Sequence, residues 1–121
     1  MEKVENQRTE QRRHLIFYLD VLNSKTGKSI GRVVDITGGG VLVISNKKIP
    51  QGQEVSVKIE LGDELLEKVH GHLEVDLVSR WSKPDINPNY FVTGFSFTHV
   101  TEDQDRIIDR IIETIGFRDL D

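Results

Sequence analysis

Two short stretches of this chain concentrate the residue types that hold or transfer charge: Arg8-Thr9-Glu10-Gln11-Arg12-Arg13 and Asp35-Ile36-Thr37-Gly38-Gly39-Gly40. A guanidinium presents a rigid fork of N–H donors that fits the oxygens of an anion. The first stretch is therefore where local positive charge would capture one; its plainer reading is a solvated tail, as most charge runs are. The plainer reading of the second is a tight hairpin, with glycine supplying positive φ and Asp35 and Thr37 making turn hydrogen bonds. The four histidines are His14, His70, His72 and His99. His70 and His72 are two apart and would share one side of a strand, with Glu74 and Asp76 as the nearest further ligands. Exposed polar strand positions explain them at least as well. The motifs G-x-S-x-G, H-E-x-x-H and G-x-x-x-x-G-K-[ST] are missing, so catalysis, a metal and a cofactor are not expected.

The elements that position these residues come from a chain of 121 residues, one domain's worth of sequence. Sixteen Lys+Arg against twenty Asp+Glu leave a net charge of −4, which argues against a protein that coats DNA or RNA. The absence of cysteine excludes disulfides, thiolate nucleophiles, zinc ribbons and iron–sulfur ligation. It also fits a reducing cytoplasm. The longest apolar run, Leu15 to Leu19, stops at Asp20, far short of the ~18 residues that would span a bilayer. No apolar stretch backs the N-terminal charges as a secretory signal would require. A cytoplasmic location without membrane contact is expected. Alanine is absent while Val, Ile and Thr abound, which favours sheet over helix.

Residues 1–14 read as a flexible arginine-containing tail, 15–100 as a β-barrel domain and 101–117 as a C-terminal helix. The expected strands are Leu15–Asn23, Ile30–Ile36, Val41–Ser45, an alternating run through Val55, Val57, Ile59 and Leu61, Val69–Trp81, and a last strand with Phe91, Thr93, Phe95 and Phe97 on one face. Within the fifth, Leu73, Val75, Leu77, Ser79 and Trp81 would share a face. That makes Trp81 a core residue at the barrel end, with a ligand edge as its alternative role. Lys83 to Asn89 reads as a loop. Six short strands with turns at this spacing suggest a closed or nearly closed antiparallel barrel. Thr101 and Gln104 form a capping box, and Ile107, Ile108, Ile111, Ile112 and Ile115 make an apolar stripe that covers a barrel end or face. The same stripe leaves a homodimer open.

Taken together, the two charged stretches resemble the signature of the PilZ domain: Arg-x-x-x-Arg ahead of the first strand, then [Asp/Asn]-x-Ser-x-x-Gly about twenty residues on. Here these are Arg8-x-x-x-Arg12 and Asp35-x-Thr37-x-x-Gly40. The Trp81 strand, the final Thr93-Gly94-Phe95-Ser96-Phe97 strand, the acidic helix start and the aliphatic helix extend the resemblance over essentially the whole chain.

The resemblance implies a six-stranded antiparallel β-barrel capped by one α-helix that binds cyclic di-GMP, a bacterial second messenger. In that reading Arg8, Arg12 and Arg13 hold phosphates and guanine faces, since arginine can fork onto O6 and N7, bridge phosphates or stack on a purine. Asp35 accepts from the guanine N1–H and N2–H₂ donors, Thr37 donates its hydroxyl, and Gly38 to Gly40 admit the nucleotide close to the backbone. Here Arg12 is followed by Arg13 and His14 before Leu15. Aligning by the strand instead pairs the second arginine position with Ile16 or Phe17, neither of which binds phosphate. Threonine also replaces the usual serine, keeping the hydroxyl and adding a methyl. Two functions follow: a receptor or adaptor that passes the messenger signal to a protein effector, or a degenerate interaction module on the same barrel that no longer binds nucleotide.

Overall fold

A computed structural model describes residues 19–62 and 72–115. The strands are β1 (Leu19–Asn23), β2 (Ser29–Ile36), β3 (Gly40–Ser45), β4 (Glu54–Ile59), β5 (Leu73–Pro84) and β6 (Phe91–His99), followed by helix α1 (Glu102–Ile115). They close a barrel in the order β1-β2-β3-β6-β5-β4, antiparallel throughout, with β4 returning to β1. Closure leaves no edge strand among the six described strands. The expected fold class is the one observed. Of the expected strand ends, Leu15–Tyr18 and Val69–Gly71 lie outside the described residues, as do His70, Asp63 and Glu64. His72 precedes β5 rather than sitting in it.

The period-two alternation points one side chain in two into the barrel. Val21, Val43, Val57, Ile59 and Leu73 are fully buried there, and Val33, Val41, Val75, Leu77 and Phe95 nearly so. The buried polar side chains have partners. Ser79 Oγ donates to the Pro50 carbonyl and accepts from the Gln53 N–H, while Thr93 Oγ1 donates to Ser82 Oγ at 2.9 Å. Such pairing removes most of the desolvation cost of burying a hydroxyl.

The capping box forms: Thr101 N–H donates to Gln104 Oε1 at 2.8 Å, and Gln104 N–H donates to Thr101 Oγ1 at 3.1 Å. Gln104 Nε2 also donates to the Glu74 carbonyl at 2.6 Å, tying the start of α1 to β5. Ile108 and Ile111 are fully buried in the barrel core, and Ile107 and Ile112 pack against it. Ile107, Ile108, Ile111 and Ile112 of the stripe therefore serve the core, each fully buried isoleucine contributing about 1.5–3 kcal/mol. No helix among the described residues is long and apolar enough to cross a membrane.

Three local expectations need correction. The positive-φ glycines among the described residues are Gly27 and Gly52, not those of the Gly38–Gly40 turn. That turn closes instead through Thr37 N–H donating to the Gly40 carbonyl at 2.9 Å. Trp81 is not a core residue; it is 41% exposed. The ladder between β5 and β6 slips between Ser79 and Trp81, so Ser79 pairs with inward-facing Phe95 while Trp81 pairs with outward-facing Gly94. Arg80 is the extra residue of this bulge, and one extra residue reverses the facing of all that follows. The predicted loop also begins later, because β5 continues to Pro84, opposite Phe91.

Candidate functional site

The turn between β2 and β3 lies on the barrel rim and is fixed from two sides. Its own bonds are Thr37 N–H to the Gly40 carbonyl and Gly39 N–H to Thr37 Oγ1 at 3.2 Å. From β6, Phe97 N–H donates to the Gly39 carbonyl at 3.0 Å. Gly40 backs directly onto β6: a Cβ there would overlap the Phe95 carbonyl oxygen and stand 3.2 Å from Ser96 Cα. Only glycine lets the two strands approach this closely. Gly38 faces the other way, with nothing within 4 Å of where its Cβ would be.

Asp35 sits just before this turn, beyond a bulge in the β2–β3 ladder, paired with Leu42. Its carboxylate is exposed, and Oδ1 accepts the Ile36 N–H at 2.9 Å. Among the described residues its other oxygen has no hydrogen-bond donor. The Thr37 hydroxyl accepts well from Gly39 but lies 3.5 Å from the Gly40 carbonyl, too long for a strong bond. The hydroxyl proton is thus the part of that side chain left to donate elsewhere.

Asp35, Thr37 and Gly40 line one open depression of about 350 Å³, joined by Arg80, Trp81 and Ser96. Arg80 Nε donates to Ser96 Oγ at 3.0 Å, which orients the guanidinium. The Trp81 ring lies on Gly94, and Lys83 Nζ stands 5.1 Å from its centroid. One acid, one guanidinium, two hydroxyls and an aromatic side chain thus surround a space large enough for a nucleobase. Arg80 and Ser96 were not among the predicted site residues, and Trp81 had a ligand edge only as its alternative role. Their shared position depends on the bulge, although a glycine amid the phenylalanines of β6 was a signal that something packs over it. A second depression, of about 360 Å³, is lined by Asn23, Lys25, Asp76 and His99 and holds none of the predicted residues.

Arg8, Arg12 and Arg13 lie outside the described residues. The described part of the barrel begins next to this rim. Leu19, the first residue of β1, pairs with Val33, two residues before Asp35. Arg13 is six residues upstream of Leu19 and Arg12 seven. At ~3.3 Å per extended residue, six residues of chain reach at most ~20 Å and seven ~23 Å.

A family model described as PilZ domain matches residues 6–114. No curated protein matches the sequence. Among solved structures, K. pneumonia MrkH in complex with c-di-GMP is similar to this chain at TM-score 0.66 and 16% identity, over 93% of this chain and 53% of that one. The Bacillus subtilis inhibitor of motility (MotI/DgrA) is similar at TM-score 0.59 and 16% identity, over 81% of this chain and 46% of that one. The chain spans about half the length of these structures. At such identities the likeness establishes the fold.

Proposed function

Since the chain belongs to the PilZ domain family, a family of cyclic di-GMP-binding domains that are typically non-catalytic receptors, we propose that it is itself a cyclic di-GMP receptor that passes the messenger signal to a protein effector in the cytoplasm. In this reading it has no catalytic activity and needs no cofactor or nucleic acid. The observation that carries it is the register of β1 on β2, in which Leu19, the first described residue, stands opposite Val33, two residues before Asp35. Arg8, Arg12 and Arg13 supply charge-assisted bonds to the phosphates and planar cations for the guanine faces. The free Asp35 oxygen accepts from a guanine N1–H or N2–H₂ donor, and the Thr37 hydroxyl donates to a phosphate or base edge. The open side of Gly38 lets the ligand lie against the backbone. An arginine tail that orders around the ligand changes the surface offered to the effector, and that change is the signal.

Calorimetry of the purified chain with cyclic di-GMP tests this. The expected result is binding at micromolar concentration or tighter, abolished in the Arg12→Ala/Arg13→Ala double variant. No heat from the unaltered chain at high ligand concentration would leave the degenerate interaction module as the function of this barrel.

A further inference from the structure

Antiparallel closure gathers the β1–β2, β3–β4 and β5–β6 connections at one end of the barrel, opposite the β2–β3 turn. These connections, residues 24–28, 46–53 and 85–90, carry Lys25, Lys28, Lys47 and Lys48 against one acid, Asp85. The four lysines are exposed, and none is in an ion pair among the described residues. Helix α1, by contrast, has five acids against two arginines. A chain of net charge −4 thus has a distinctly cationic pole.

The same pole carries Ile86, 99% exposed. Its loop is well fixed. Asp85 N–H donates to the Tyr90 carbonyl at 2.9 Å and Tyr90 N–H to the Asn87 carbonyl at 3.0 Å, while Asn87 N–H donates to Asp85 Oδ2 at 3.3 Å. Ile49 N–H donates to Ser82 Oγ at 3.3 Å, which sets the Lys47–Lys48 connection against the base of the hairpin. Ile86 is four residues beyond Ser82, so it stands at most ~13 Å further out at ~3.3 Å per residue. Tyr90, 41% exposed, closes the loop behind it.

A lone isoleucine on a narrow convex tip would require a matching pocket in a protein, but a bilayer needs none. Apolar side chains enter the boundary between headgroups and acyl chains by about 5–10 Å, tyrosine favours the headgroup level, and lysines are drawn to anionic lipid. We propose that this pole is a peripheral contact with an anionic lipid surface, in which Ile86 enters the bilayer and the lysines meet lipid phosphates. The Asp35–Gly40 rim then faces away from the membrane, and the contact is independent of cyclic di-GMP. The expectation of no membrane contact rested on the lack of a spanning run, which a peripheral contact does not need.

Co-sedimentation of the full chain with vesicles tests this, using phosphatidylglycerol mixed equally with phosphatidylcholine, and phosphatidylcholine alone. Because the whole chain is acidic, attraction to anionic vesicles must come from a local cluster, here or at Arg8, Arg12 and Arg13. The expected result is binding to the mixed vesicles only, weakened by added salt. Ile86→Ser and Lys47→Ala/Lys48→Ala should each weaken it about tenfold or more, and Arg12→Ala/Arg13→Ala should leave most of it. The altered positions are exposed, and unfolding curves establish that the variants are folded. No binding to the mixed vesicles, equal binding to both kinds, or full binding by the Ile86 or lysine variant overturns the lipid contact. Loss of binding confined to the arginine variant overturns it too, assigning the attraction to the N-terminal segment.

Discussion

Two glycines on the rim should respond in opposite ways to the same added methyl group. In Gly40→Ala the new Cβ meets backbone: it overlaps the Phe95 carbonyl oxygen and comes within 3.0 Å of the carbonyl carbon. Neither side can yield cheaply, because Gly40 pairs with Ser96, Val41 pairs with Phe95, and Gly39 accepts from Phe97 N–H. Relief requires β3 and β6 to part locally. Overpacking costs about 1–3 kcal/mol, and a weakened ladder bond adds about 1 kcal/mol. A loss of about 2–4 kcal/mol follows, lowering Tm by on the order of 10 °C in a domain of this size. In Gly94→Ala the three atoms nearest the methyl all belong to the Trp81 ring, at 2.5–2.8 Å, and that residue is 41% exposed. The ring can swing outward, and replacing a strand glycine recovers about 0.5–1 kcal/mol of backbone entropy. The net change should stay below about 1 kcal/mol. Urea unfolding followed by far-ultraviolet circular dichroism measures both without relying on Trp81 emission. Equal losses in the two variants, or the larger loss in Gly94→Ala, would refute this account of the rim.

Ile111→Ala removes a fully buried side chain where α1 meets the core and should cost about 2–5 kcal/mol in the same unfolding assay. Thr101→Ala deletes one half of the capping box and should cost about 1 kcal/mol, seen as faster amide exchange in the first turn of α1 as well as a lower midpoint. Asp35→Ala should weaken cyclic di-GMP far more than its adenine counterpart in parallel titrations. Equal weakening of the two would mean that Asp35 serves only the Ile36 N–H bond of its own strand.

Much of the barrel is legible in the sequence because its strands obey the simplest rule available to a half-buried segment. Val55, Val57 and Ile59, or Phe95 and Phe97, alternate with polar neighbours, and only one facing buries them. The helix announces itself through Thr101 and Gln104, whose bonds are local and follow from spacing alone. The misreadings arise where geometry depends on partners far along the chain. Nothing near Trp81 marks the extra residue at Arg80, yet that bulge decides whether the indole faces the core or the solvent. Gly40 resembles a turn glycine, but its reason lies in Phe95, on another strand. Asp35, Thr37 and Gly40 were legible through the motif they share with the family. Arg80 and Ser96 were not, since polar residues on an exposed strand face carry no mark of the pocket they join.

The central claim is that the arginine segment and the glycine turn close together on one ligand, and an interlabel distance tests it most directly. The chain has no cysteine, so Gln11→Cys/Val34→Cys places spin labels on the two halves without competing sites. Val34 adjoins Asp35 on β2, is 40% exposed and does not line the depression of Asp35, Thr37 and Gly40. On adding cyclic di-GMP the electron–electron distance distribution should shift to shorter values and narrow. A distribution unchanged at saturating ligand would contradict the account.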